Sequence, residues 1–219
     1  MPLPSLSRRE TLASLGAVPL ASLAASPAEA GFALKSGGDA GSLNALAAAK
    51  GRRFGSVMSS YPGRKDGPTI EDKAHAALVA RECGVIVPEN QLKWQFVRPD
   101  AKTFNFKAMD AIVKWAHRNG KAVRGHTLLW HRPQWFPTWL NNYDFGANPR
   151  AEAERLLTSH IRTVTKRYQG VIKSYDVVNE AIDHDTNGLM QTSMSKAMAK
   201  GKSGAEAVLD LAFHTARDA

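Results

Sequence analysis

One cysteine, Cys83, stands in the 219 residues. That scarcity excludes an intramolecular disulfide and any zinc site built from cysteine pairs. No run of 18 or more apolar residues occurs, so no segment reads as a membrane-spanning helix. Glycine-rich phosphate loops and the serine-centred nucleophile motif are missing as well. Acidic residues are the minority charge, 20 against 29 Lys and Arg, which gives a formal net charge of +9. A basic chain is drawn to polyanions, but a nucleic-acid binder concentrates its charge in a stripe with a recognisable motif. Here the basic residues are scattered. The densest run, Lys196, Lys200 and Lys202, sits among Gly and Ser and reads as a solvated loop. No nucleic-acid partner and no cofactor are expected. With 43% hydrophobic and 22% charged residues, the composition is that of a globular domain rather than a disordered or fibrous chain.

The first 30 residues carry the pattern of an export signal. Ser7-Arg8-Arg9-Glu10-Thr11-Leu12 places an Arg pair before a short Ala-rich apolar run, the twin-arginine arrangement. Ala28-Glu29-Ala30 supplies small residues for cleavage before Gly31. A periplasmic or secreted location is therefore expected, with no membrane attachment after cleavage. Residues 31–50, rich in Gly, Ala and Ser, read as a flexible lead-in.

From Gly51 onward, short apolar runs alternate with helical periodicity. Strands are expected over Arg53–Met58, Val85–Val87, Ala122–Leu129 and Val171–Val178. Thr69 is the expected cap of a first helix ending near Cys83-Gly84. Met109, Ile112, Val113 and Ala116 mark a second, Leu157, Ile161 and Val164 a third from about Pro149, and Leu209, Ala212 and Phe213 a fourth. Four βα units in succession imply an α/β fold with a parallel sheet. In barrels of this kind the working groups lie where strands end, and polar and aromatic residues gather there.

Glu180 emerges from the apolar run Val177-Val178, where partial desolvation is expected, a setting that suits a general acid. Its neighbour Asn179 can bond a hydroxyl. Glu89, Asn90 and Lys93 offer an acceptor, a mixed group and a cation within five positions, a set matched to sugar hydroxyls; a surface ion pair between Glu89 and Lys93 is the plainer alternative. His126 and Trp130, four apart on a strand, share a side, and Trp130 can wall a sugar ring. Trp115 is expected in the core, while Trp135 and Trp139 are either cleft wall or loop packing. No metal is expected. His126 and His131 would face opposite sides, and Asp183-His184-Asp185 lacks a second cluster.

Three segments, Pro88-Glu89-Asn90-Gln91-Leu92-Lys93-Trp94, Arg124-Gly125-His126-Thr127-Leu128-Leu129-Trp130-His131 and Asp176-Val177-Val178-Asn179-Glu180-Ala181, closely resemble the signatures of glycoside hydrolase family 10, the endo-1,4-β-xylanases. The resemblance implies a (β/α)₈ TIM barrel, with residues 51–219 as its N-terminal half, and retaining hydrolysis of internal β-1,4 bonds in xylan. On that pattern Glu180 is the proton donor, and Glu89, Asn90, Lys93, His126, Trp130 and Asn179 contact xylan or xylo-oligosaccharides without metal or cofactor. The nucleophilic carboxylate of such an enzyme comes from the seventh strand and has no counterpart here, so the chain reads as a fragment that is inactive alone. A non-catalytic xylan-binding half-barrel is the alternative, and the oligomeric state is left open.

Overall fold

The computed structural model describes residues 41–64, 66–199 and 203–219. The expected signal at residues 1–30, most of the lead-in, Lys200 and Lys202 lie outside the described residues. Strand β1 (Gly55–Met58) is followed by α2 (Lys73–Glu82), β2 (Val85–Pro88), α3 (Trp94–Val97), α4 (Lys107–Arg118) and β3 (Ala122–Trp130). A 3₁₀ turn (Pro133–Trp135), α5 (Thr138–Asn141), α6 (Pro149–Arg167), β4 (Ile172–Asn179), α7 (Ser193–Met198) and α8 (Gly204–Arg217) complete the order, and α1 (Leu43–Ala48) precedes β1.

The four strands are parallel and lie in sequence order, β1-β2-β3-β4. Each crossover carries a helix back over the sheet, as parallel pairing requires. Buried Ile86 and Leu129 from the strands meet Met109 and Ile112 of α4, Leu157 and Ile161 of α6, and Val208 of α8 in one apolar cluster. The α4 spacing behind this is a helical one: Met109, Ile112, Trp115 and Ala116 recur at three and four positions and are the buried face. Trp115 joins the core as expected.

Local chemistry sets the element ends. The expected cap of α2 is corrected: Asp72, not Thr69, accepts from the Ala74 and His75 amides. An ionised carboxylate meets the exposed amides at that helix end better than a hydroxyl, and Thr69 is occupied in a bridge with Ser59. Gly125 is required by close approach, because a Cβ there would lie 2.3 Å from the Tyr175 ring. The expected flexible lead-in is corrected in its last part. Ser42 caps α1, Asn44 Oδ1 accepts from the Phe54 amide at 3.1 Å, and a Cβ on Gly84 would strike Asn44. Lys196, placed in a loop by its Gly and Ser neighbours, lies in α7, which Thr192 and Ser195 close with a capping box.

Candidate active site

The C-terminal ends of the strands carry the candidate residues side by side. Glu89 follows β2, and its amide donates to the Met58 carbonyl at the end of β1 (3.1 Å). Trp130 ends β3 in register with Asn179 of β4, and His126 lies opposite Asp176. Glu180 follows at once, with φ of 49°. A non-glycine residue in this left-handed region is uncommon and is held by its surroundings, a feature that clusters at working sites.

The side chains form a connected set. Lys93 Nζ donates to Asn90 Oδ1 (2.9 Å) and lies 4.3 Å from the centre of the Trp130 ring. Asn90 Nδ2 donates to the Tyr61 hydroxyl (3.0 Å), and Ser59 Oγ donates to Glu89. Burial pulls the Lys93 ammonium below the usual lysine range, against the nearby negative charges of Glu89 and Glu180. The expected alternative of a surface Glu89–Lys93 ion pair is therefore replaced. Lys93 is buried at the centre of the cluster, and its hydrogen bond goes to Asn90.

Around Glu180, Trp130 Nε1 donates to Oε2 (3.0 Å), and Arg132 Nε lies 3.2 Å from the same oxygen. One neutral donor and one cation thus converge on Oε2, leaving Oε1 as the oxygen that can present a proton. The carboxylate is 47% exposed, so the desolvation expected from its apolar strand is not met; the residue lies past the strand, on its rim. Trp135 stacks on Trp130 with ring centres 4.5 Å apart and is exposed, so it extends the cleft wall. Trp139 instead donates to the Arg98 carbonyl (2.9 Å) and belongs to the loop packing. His131 is buried, and its Nε2 donates to the Met190 carbonyl (3.0 Å), away from His126.

Sequence reasoning missed Arg132, Tyr61, Ser59 and the contacts of Asp176 with Arg124 and His126. Arg132 stands two residues beyond Trp130 in a loop, where no periodicity marks its direction. Asp176 carried a signal: at strand spacing it shares a side with position 180, although Glu180 itself lies just past the end of β4.

The chain matches the profile of glycosyl hydrolase family 10 over residues 42–219. It is 33% identical over 150 residues to endo-1,4-beta-xylanase 3 of Hypocrea jecorina, covering 68% of this chain and 40% of that protein. Native xylanase 10B of Thermotoga maritima superposes with a TM-score of 0.68 at 27% identity, over 81% of this chain and 50% of that one. Xylanase XynB of Paenibacillus barcinonensis gives 0.65 at 31% identity, over 81% and 49%. The chain thus spans about half the length of the relatives it matches, and its parallel four-stranded sheet aligns with part of their barrels. On the match across nearly all the described residues, the chain belongs to glycosyl hydrolase family 10.

Proposed function

We propose that this chain supplies the proton-donor half of a site that cleaves internal β-1,4 bonds in xylan. The carrying observation is the joined cluster of Glu89, Asn90, Lys93, Trp130 and Glu180 at successive strand ends. A hydrogen-bonding floor beside two stacked indoles suits a polyhydroxylated ring with apolar faces. Relatives of similar fold have been solved with xylobiose and xylopentaose, which supports this substrate class.

In the proposed reaction Glu180 protonates the departing glycosidic oxygen from Oε1, while Trp130 and Arg132 hold Oε2. The glycosyl-enzyme of a retaining mechanism forms on a second carboxylate about 5–5.5 Å from the first. Asp176 is held by Arg124 and His126, and Glu89 is bonded by Ser59. On this reading the nucleophile comes from outside these 219 residues, and the chain alone binds xylo-oligosaccharides without cleaving them. Once the protonated leaving sugar has departed, Glu180 takes a proton from the incoming water, whose oxygen bonds the anomeric carbon as the bond to the nucleophilic carboxylate breaks, and so acts in both steps.

The test joins the chain to the following half of a family 10 barrel. Glu180→Gln should then abolish hydrolysis of natural xylan while retaining its binding. Undiminished turnover would overturn the proton-donor assignment. Export by the twin-arginine pattern at Arg8-Arg9 belongs to the same proposal, since xylan lies outside the cell.

A further inference from the structure

Asp176 is held by three nearby residues of the neighbouring strand. Its Oδ2 lies 2.9 Å from His126 Nδ1, and its Oδ1 accepts from Arg124 Nε at 3.0 Å and from Arg124 Nη2. Thr127 Oγ1 donates to its carbonyl at 2.7 Å. The His126 and Asp176 side chains are 23% and 24% exposed, whereas that of Arg124 is 53% exposed. An exposed ion pair with Arg124 contributes little to stability, which leaves the histidine contact as the feature to explain.

We propose that Asp176 is the positioning residue for His126: it fixes the imidazole as the Nδ1–H tautomer and so makes Nε2 a hydrogen-bond acceptor for the sugar. An ionised carboxylate only accepts, so the nitrogen facing it must carry the hydrogen. Burial works to raise the Asp176 carboxyl, but the hydrogen bonds from Arg124 and His126 outweigh it and hold it below the usual carboxylate range. Arg124 also balances the carboxylate charge.

The consequence for substrate rests on the function proposed above. Lys93 Nζ keeps donors beyond the one it gives Asn90, whereas Trp130 Nε1 is already engaged by Glu180, and a sugar hydroxyl both donates and accepts. A hydroxyl whose lone pairs are met by such donors still needs an acceptor for its own hydrogen. His126 with a bare Nε2 supplies one; the other tautomer would present a second hydrogen and repel it.

The tautomer is read directly by long-range ¹H–¹⁵N correlation on the ¹⁵N-labelled chain, with His126→Gln for assignment. The wild type should show a pyrrole-type shift at Nδ1 and a pyridine-type shift at Nε2. Asp176→Leu should move the ring toward Nε2–H, whereas Asp176→Asn, whose Oδ1 still accepts, should keep Nδ1–H. Arg124→Gln should leave the tautomer as it is. Nε2–H in the wild type overturns the proposal even if Asp176→Leu fails to fold, and so does a tautomer that is unchanged in a folded Asp176→Leu. Xylobiose titration separates this inference from the function it builds on. Affinity should fall about tenfold in Asp176→Leu and be largely restored in Asp176→Asn, the size expected for one hydrogen bond. Tautomers that follow residue 176 without any xylobiose binding would uphold the positioning role and overturn the substrate reading. Affinities that follow residue 176 with an unchanged tautomer would do the reverse.

Discussion

Lys93 shows opposing demands on one side chain. Only 7% of it is exposed, and its ammonium gives up water for one hydrogen bond to Asn90 and the face of Trp130. Burying a charge with so few partners is costly, and burial accordingly pulls the lysine below its usual range. Lys93→Met keeps the stem and removes the charge. We expect its melting temperature to be unchanged or higher and its xylobiose affinity to fall about tenfold, the loss of roughly one charged hydrogen bond. Thermal melts and calorimetry check both; a lower melting temperature with unaltered affinity would make Lys93 a structural residue. At this scale the sequence was legible where residue type and strand position agree. Glu89, Asn90, Lys93, Trp130 and Glu180 are joined by contacts that the strand-end argument anticipated only as proximity. What it could not give is direction: which oxygen of Glu180 is held, and that Trp135 stacks while Trp139 turns inward, depend on loop backbones with no repeat to read.

At the scale of elements, the helices are fastened by polar groups that the apolar pattern does not announce. Arg98, just past α3, is 2% exposed. Its guanidinium donates to the Leu156 carbonyl on α6 (3.0 Å) and to the Ala101 carbonyl (2.8 Å), beneath the rings of Trp94, Phe104 and Trp139. Burial lowers it to about 10. Arg98→Ala leaves a cavity and two carbonyls without their donor, and we expect a loss of about 3 kcal/mol in urea unfolding. A change under about 0.5 kcal/mol, the range of ordinary surface substitutions, would contradict this. His160 on α6 stacks on Trp94 with ring centres 3.9 Å apart, and His131, next to Trp130 in the chain, is fully buried. Burial drives His160 well below the usual histidine range and His131 to about 4. The unfolded chain takes up these protons first as pH falls, so stability drops from about pH 6.5, and the share that His131 contributes levels off near pH 4. His131 alone should cost about 2 kcal/mol between pH 7 and pH 5. Urea midpoints at the two pH values test this, and His131→Asn should flatten the dependence; equal midpoints in the wild type would refute it. The sequence reading located α4 and α6 from their period, but α3, α5 and α7, with four to six residues each, are too short to show one.

On the scale of the whole molecule, four βα units were readable because parallel strands alternate with amphipathic helices, and the sheet follows chain order. The Gly, Ala and Ser of the lead-in outweigh the weak cap signal of Ser42 and so predict a flexible stretch; tertiary contacts with Phe54 and Glu82 decide its last part instead. The N-terminal export reading makes its own prediction. Residues 1–30 fused to a folded reporter should carry it out of a cell that has the twin-arginine pathway, and Arg8→Lys with Arg9→Lys should block that export. Export that persists in the double variant would contradict the reading. The central claim concerns the cleft, and calorimetric titration of the 219-residue chain with xylopentaose tests it most directly. The account predicts binding that is weakened at least tenfold by Trp130→Ala and no release of shorter sugars from the chain alone. No binding by a folded chain, or binding indifferent to Trp130, would contradict it.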